Sequence, residues 1–154
     1  MTEFVCGTRI VAGAGASKWL GTLELHRVLL VTDPYFAKNG RAQKIADCTG
    51  AEAVRIFDRV EPDPSVELAA EGTAAVREFQ PDAIVALGGG SAMDCAKAMA
   101  YFSGSDARLI AIPTTSGSGS EVTDFAILTH GTVKHPLVDE KLRPAMAILD
   151  SDLL

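Results

Sequence analysis

Residues 81–97, PDAIVALGGGSAMDCAK, constrain this chain more than any other stretch: an unbroken apolar run meets three consecutive glycines and then a helix start. Ala83 to Leu87 carries no polar residue, as expected of a strand covered on both faces in a parallel sheet between helices. Pro81 and Asp82 bound it on one side and Gly88, Gly89 and Gly90 on the other. Beyond the glycines, Ser91 is of the right type for a helix N-cap, with Asp94 three residues on to close a capping-box arrangement. Met93, Ala96, Lys97 and Ala100 continue at helical spacing. Three glycines remove every Cβ where the backbone must turn, so an anion can approach main-chain N–H groups at a helix N-terminus. The stretch predicts a phosphate cradle; the plainer alternative is a tight strand-to-helix turn without a ligand. It is not a G-x-G-x-x-G fingerprint, because Ala92 and Met93 stand where the last glycine would be sought, nor a P-loop, because no Gly-Lys-Ser/Thr follows.

The rest of the chain repeats the alternation of strand and helix. Thr8 to Ala12 reads as a short strand with Glu3 to Cys6 as a candidate partner. Gly13 to Ser17 (GAGAS) resembles a second nucleotide loop at first sight. The short preceding run and the lack of a third glycine favour Ser17 as the cap of a helix through Trp19, Leu20, Leu23 and Leu25. Arg27 to Thr32 is a buried strand ending in Asp33-Pro34. Asp33 there either accepts hydrogen bonds from a ribose or caps the turn that Pro34 begins, and the two readings stand level. A helix follows, broken at Asn39-Gly40 and resumed from Arg41 to Asp47; then come a strand over Ala51 to Phe57 and a turn over Glu61 to Ser65. Ser65 caps a helix from Val66 to Phe79 whose apolar face includes Leu68, Val76 and Phe79.

After the helix that ends near Tyr101 and Phe102, Leu109 to Ile112 is another buried strand, running into the hydroxyl- and glycine-rich Pro113 to Glu121. Such a composition suits a flexible linker. Its abrupt exit from a strand and its direct lead into Val122 to Leu128 favour instead a second wall of a phosphate or cofactor site. Phe125 to Leu128 and a return strand with Val133 and Lys134 predict a hairpin around His130-Gly131, and Ala145 to Leu149 is a last strand. The order predicts an α/β fold, a parallel sheet flanked by helices with a small β-hairpin.

Length and composition narrow the function. The 154 residues suffice for one domain with a real core. Twenty acidic against fourteen basic residues, the basic ones scattered, argue against nucleic acid. No apolar run reaches bilayer length and Met1-Thr2-Glu3 is not the start of a signal peptide, so the expectation is a cytoplasmic protein without a membrane partner. Cys6, Cys48 and Cys95 form no C-x-x-C pair and are expected to pack as small hydrophobes.

GGGSAMDCAK, IPTTSGSGSEVTDFAILT and KHPLVDEKLRPAMAILDSDLL, in that order, resemble the amino-terminal half of the iron-containing (group III) alcohol dehydrogenases. Within that family they look most like the short-chain alcohol dehydrogenases of the propanediol and ethanolamine microcompartments. The resemblance spans essentially the whole chain. It implies a Rossmann-like, dehydroquinate synthase-like nucleotide domain over residues 1–154, with NAD(H) as cofactor. It also implies a helical domain holding ferrous iron that is absent from this chain. Carried over by position, Asp33 contacts the adenosine ribose and favours NAD over NADP; Gly89, Gly90 and Ser91 hold the pyrophosphate, and Gly88 and Asp94 shape the turn. Thr114, Thr115 and Ser118 line the nicotinamide and phosphate side, Lys134 reaches the ribose and Leu149 packs near the cofactor. Ser118 stands where the family commonly has threonine, with the hydroxyl kept.

The family's metal is held by an aspartate and three histidines, beginning with an Asp-x-x-x-His pair. None of His26, His130 and His135 has an aspartate four residues before it, so none is expected to ligate metal. The implied activity is interconversion of a short-chain aldehyde, propionaldehyde or acetaldehyde, and its primary alcohol, in a cytoplasmic or microcompartment setting. These 154 residues alone are expected to be inactive. The alternatives are a dehydroquinate synthase or glycerol dehydrogenase relative, against which PTTSGSGSEVTDFAIL argues, and a stand-alone nucleotide-binding or assembly module. The surface near Thr114 to Ser120 and Leu154 is expected to be exposed or used for self-association as a homo-oligomer.

Overall fold

The apolar runs lie side by side because each has a core on both of its faces. In the computed structural model, which describes residues 1–154, six strands form one sheet: Arg9–Gly13 (β1), Arg27–Val31 (β2), Ala53–Phe57 (β3), Ala83–Gly88 (β4), Arg108–Pro113 (β5) and Met146–Asp150 (β8). Their order is β1-β8-β5-β4-β2-β3, and every pair is parallel. Phe125–His130 (β6) and Val133–Val138 (β7) form a separate antiparallel hairpin.

Period-two alternation sends Leu29, Val31, Ile84 and Ala86 to one face, where Leu68, Val76 and Phe79 of helix α3 (Val66–Phe79) and Met93, Ala96 and Met99 of α4 (Gly90–Ser103) cover them. Val28, Leu30, Val85 and Leu87 point the other way, against Leu20, Phe36, Ala42 and Ile45. The last three belong to two short helices, Pro34–Lys38 (α1) and Arg41–Thr49 (α2). All six residues of β4 are buried. Each large aliphatic side chain there adds roughly 1.5–3 kcal/mol of transfer free energy. The hairpin leans on the helices rather than the sheet: Leu128 packs with Ala69 of α3 and Ala98 of α4, while Ile127, Val133 and Val138 are exposed.

Several local expectations hold. Ser65 caps α3 by accepting the Leu68 N–H at 3.0 Å, and the helix pair breaks at Asn39-Gly40, where Gly40 has φ 81°. Others need correction. Glu3 to Cys6 forms no strand: the chain is first anchored at Thr8, whose hydroxyl donates to the Pro144 carbonyl, and β1 pairs with β8 instead. Ser17 caps no helix. It lies inside a 3-10 helix, Ala16–Thr22, preceded by Gly15 at φ 71°, and Leu23 and Leu25 fall outside it. Only Cys95 of the three cysteines is buried; Cys6 and Cys48 are partly exposed.

Candidate functional site

From β2 the chain moves outward through α1 and α2 to β3, whereas from the adjacent β4 it moves through α4 in the opposite direction to β5. The crevice beyond the carboxyl ends of β2 and β4 is therefore the topological switch point, where open parallel sheets place their ligands. Thr32 and Asp33 follow β2, and Gly89 follows β4. The Thr32 hydroxyl donates to the Leu87 carbonyl at 2.8 Å and ties the two strand ends together. A cleft of about 270 Å³ opens there, lined by Asp33, Gly89, Gly90, Ser91 and Thr115, with Val60, Glu61 and Pro62 beside them.

The glycine turn differs in one respect from its expected form. Gly89, not Ser91, is the N-cap of α4, and no side chain caps the helix. Because the helix starts at Gly90, Ser91 is already in the first turn, where its hydroxyl accepts the Asp63 N–H at 3.3 Å. The first-turn N–H groups of an uncapped helix lack intrahelical partners and carry its positive dipole end, a setting that favours an anion. Asp94 closes no capping box either. It turns away from the cleft, Oδ1 accepting the Ser120 hydroxyl at 3.0 Å and Oδ2 the Ile127 N–H at 3.2 Å. Burial raises the Asp94 pKa, against these two donors and Lys97, which lower it.

The hydroxyl-rich segment forms the opposite wall. The Thr114 N–H donates to the Gly88 carbonyl at 2.9 Å, continuing the ladder past the end of β5. A Cβ built on Gly89 would lie 3.2 Å from Thr115 Oγ1, and one on Gly90 3.4 Å from Ser118 Cβ. Gly88, at φ 148°, would bring a Cβ to 2.8 Å from the Ala92 Cβ, so glycine is required there by conformation and by space. Thr115 to Ser118 and Leu154 are exposed.

Asp33 takes one of its two expected roles visibly: Oδ1 accepts the Phe36 N–H at 3.0 Å and caps α1, while the residue also lines the cleft. Lys134, on β7, lies 3.3 Å from Asp63, whose N–H reaches Ser91, so the hairpin stands beside the glycine turn. Leu149 lies further along the sheet, half-buried on β8 opposite Ala12 of β1. The GAGAS loop encloses the protein's own carboxylate, since Asp150 accepts the N–H groups of Gly15 and Ser17, both at 2.9 Å.

Sequence reasoning passed over Lys97. It is 1% exposed and donates to Ser120, Thr123 and the Phe125 carbonyl. The available signal was a lysine on the apolar face of α4.

The family model described as "iron-containing alcohol dehydrogenase" matches residues 7–151. The chain belongs to that family. It is 35% identical to the 1-propanol dehydrogenase PduQ of Citrobacter freundii, over 100% of this chain and 44% of that protein. Among solved structures, the iron-containing alcohol dehydrogenase from Thermococcus thioreducens superposes with a TM-score of 0.88 at 33% identity, covering 98% of this chain and 47% of that one. The sulfoacetaldehyde reductase from Bifidobacterium kashiwanohense, solved in complex with NAD+, gives a TM-score of 0.90 at 29% identity, over 99% and 47% of the two chains. The chain thus spans less than half the length of these relatives. Within this chain no group of three or more His, Cys, Asp or Glu is placed to share a metal ion. His130 and His135 have ring centroids 6.2 Å apart on the hairpin, and His26 lies 3.6 Å from Glu52.

Proposed function

We propose that these 154 residues are the NAD(H)-binding domain of an iron-dependent alcohol dehydrogenase that interconverts a short-chain aldehyde, propionaldehyde or acetaldehyde, and its primary alcohol. The observation that carries the reading is the uncapped start of α4 at the switch point, walled by Thr115 and Ser118. A pyrophosphate fits this cradle: first-turn N–H groups face it, glycines keep it open, and hydroxyls stand opposite.

Bound there, NAD(H) supplies the hydride donor or acceptor for the carbonyl carbon. The chain's own residues bind and orient. Asp33 faces the adenosine ribose, Gly89, Gly90 and Ser91 hold the pyrophosphate, Gly88 shapes the turn while Asp94 acts indirectly by holding Ser120 at the exit of the opposite wall, and Thr114, Thr115 and Ser118 border the nicotinamide side. Lys134 reaches the ribose and Leu149 packs near the cofactor. No residue of this chain is assigned to the chemical step, and no candidate ligand set for iron lies within it. The aldehyde class is supported by the likeness to a 1-propanol dehydrogenase. The proposal includes a cytoplasmic location, with a bacterial microcompartment as its narrower form; no helix is long and apolar enough to cross a membrane.

Titration of the chain with NADH, followed by nicotinamide fluorescence, tests the reading. Saturable binding is expected, without propionaldehyde reduction when ferrous iron is added. Absence of binding overturns the cofactor reading; turnover by these residues alone overturns the assignment of chemistry to another part of the enzyme.

A further inference from the structure

Lys97 stands roughly two turns along α4 from the glycine turn. Its Nζ donates to Ser120 Oγ at 3.0 Å, Thr123 Oγ1 at 3.1 Å and the Phe125 carbonyl at 2.9 Å. The Ser120 hydroxyl in turn donates a hydrogen bond to Asp94 Oδ1, and Asp94 Oδ2 accepts the Ile127 N–H. Lys97 and Asp94 thus fasten residues 120–127 to α4.

That fastening matters for the cleft because of how the opposite wall is held. The wall enters from β5, where the Thr114 N–H bonds Gly88, so the sheet fixes its start. Residues 115–118 are exposed, and the next buried anchor is Ser120.

We propose that Lys97 is a positioning residue for the dinucleotide cleft: its ammonium, donating all three N–H groups at once, holds the exit of the 114–119 wall against α4 and so sets how closely Thr115 and Ser118 stand over Gly89 and Gly90. The inference rests on the NAD(H) reading above.

Three acceptors need three donors. A neutral amine has two N–H groups and a lone pair. Ser120 is committed to Asp94, and Thr123 directs its hydroxyl at the Ser120 carbonyl 3.4 Å away, so neither proton is aimed at Nζ. Deprotonation therefore costs one contact of the clamp. Burial pushes Lys97 down to about 8, against the pull of Asp94 on its own helix, Asp124 before β6 and Glu121 in the 3-10 turn. Asp124 is itself paired with Arg143 at 3.2 Å, and the Phe125 ring centroid lies 5.9 Å from Nζ.

The folded value lies below the ordinary 10.5, so between about 8 and 10.5 the unfolded chain holds a proton that the folded chain has lost. Stability contributed by this group rises with pH across that window. Cofactor affinity falls as the folded chain loses this proton near 8. These opposed trends separate a positioning role from a structural one.

The test is NADH titration from pH 7 to 9.5 on the wild-type chain, Lys97→Met and Thr123→Val, with thermal melts as the folding control. Wild-type affinity is expected to fall about fivefold, the worth of one hydrogen bond. Lys97→Met should bind about fivefold more weakly at pH 7 and show no step near 8. Thr123→Val removes one acceptor of the charged form and should move the step to lower pH. Wild-type affinity in Lys97→Met, or the same step in it, overturns the inference. Should Lys97→Met fail to fold, an unmoved step in Thr123→Val overturns it. A wild-type chain that binds no NADH at pH 7 overturns the NAD(H) reading and this inference with it; binding that ignores Lys97 overturns this inference alone.

Discussion

Asp150, at the end of the last strand, accepts both the backbone N–H and the hydroxyl of Ser17, near the beginning of the chain. Gly15 and Asp152 add two more N–H donors, at 2.9 and 3.1 Å. One buried carboxylate thus joins the loop after β1 to the turn after β8.

Burial alone would raise the Asp150 pKa, but the hydroxyl and N–H of Ser17 and the N–H groups of Asp152 and Gly15 outweigh it and hold the carboxyl below its ordinary range. A depressed folded value gives stability that is present above the unfolded value near 3.9 and lost as pH falls through the folded one. Asp150→Ala leaves these donors unpaired and should cost about 3 kcal/mol, a fall in Tm of roughly 6–12 °C at neutral pH. Thermal melts from pH 7 to 2.5 should show this deficit shrinking below about pH 4.

Asp33 caps α1 and, in the proposed function, faces the adenosine ribose, and one pair of substitutions separates the two. Asparagine is as good a cap as aspartate, so Asp33→Asn should change stability by less than about 0.5 kcal/mol, while Asp33→Ala loses about 1 kcal/mol. Removing the charge should nevertheless cut the preference for NADH over NADPH about tenfold, read by paired fluorescence titrations, since a 2′-phosphate no longer meets a carboxylate.

The glycines of the turn should fail in different ways. Gly88→Ala meets both the φ of 148° and the Ala92 Cβ, and is expected to destabilise by about 2–4 kcal/mol in urea melts. At Gly90 a Cβ would make ordinary contact with Ser118. Gly90→Ala should therefore keep its stability within about 1 kcal/mol and lose about tenfold in NADH affinity, because the methyl group occupies the path of the anion.

Gly72 sets helix propensity against packing. Alanine in a helix interior is worth about 0.5–1 kcal/mol over glycine. Here its Cβ would fall on the Sδ, Cγ and Cε of Met99, a fully buried side chain. Packing wins: Gly72→Ala should destabilise by about 1–3 kcal/mol. In a double-mutant cycle with Met99→Ala the two changes should couple by at least about 1 kcal/mol, because shortening Met99 removes the clash.

Much of this was legible in the sequence because the strands have cores on two faces. AIVAL and LIAI admit no polar residue, and the glycines after Leu87 mark where the first run must turn. The segment Pro113 to Glu121 could be read as a second wall because it leaves a strand abruptly, whereas the cofactor roles of Asp33 and Thr115 came from the family resemblance. The N-cap was misplaced for a physical reason: three glycines tolerate almost any backbone angles, and only the structure shows Gly89 extended at ψ −164° and Gly90 already helical. Lys97 was missed because its partners lie 23 to 28 positions away in the chain, beyond anything helical spacing can report. The partner of β1 was missed likewise, since a parallel neighbour can come from any later strand.

That pairing has a consequence during synthesis. Arg9 sits opposite Met146 and Gly13 opposite Asp150, so the first strand made must wait for the last. At ribosomal rates of about 5–20 residues per second the delay is on the order of ten seconds. In the last part of that delay, once β5 has been made, β8 is still missing between β5 and β1, and the nascent chain presents β5 as the bare margin of an unfinished sheet.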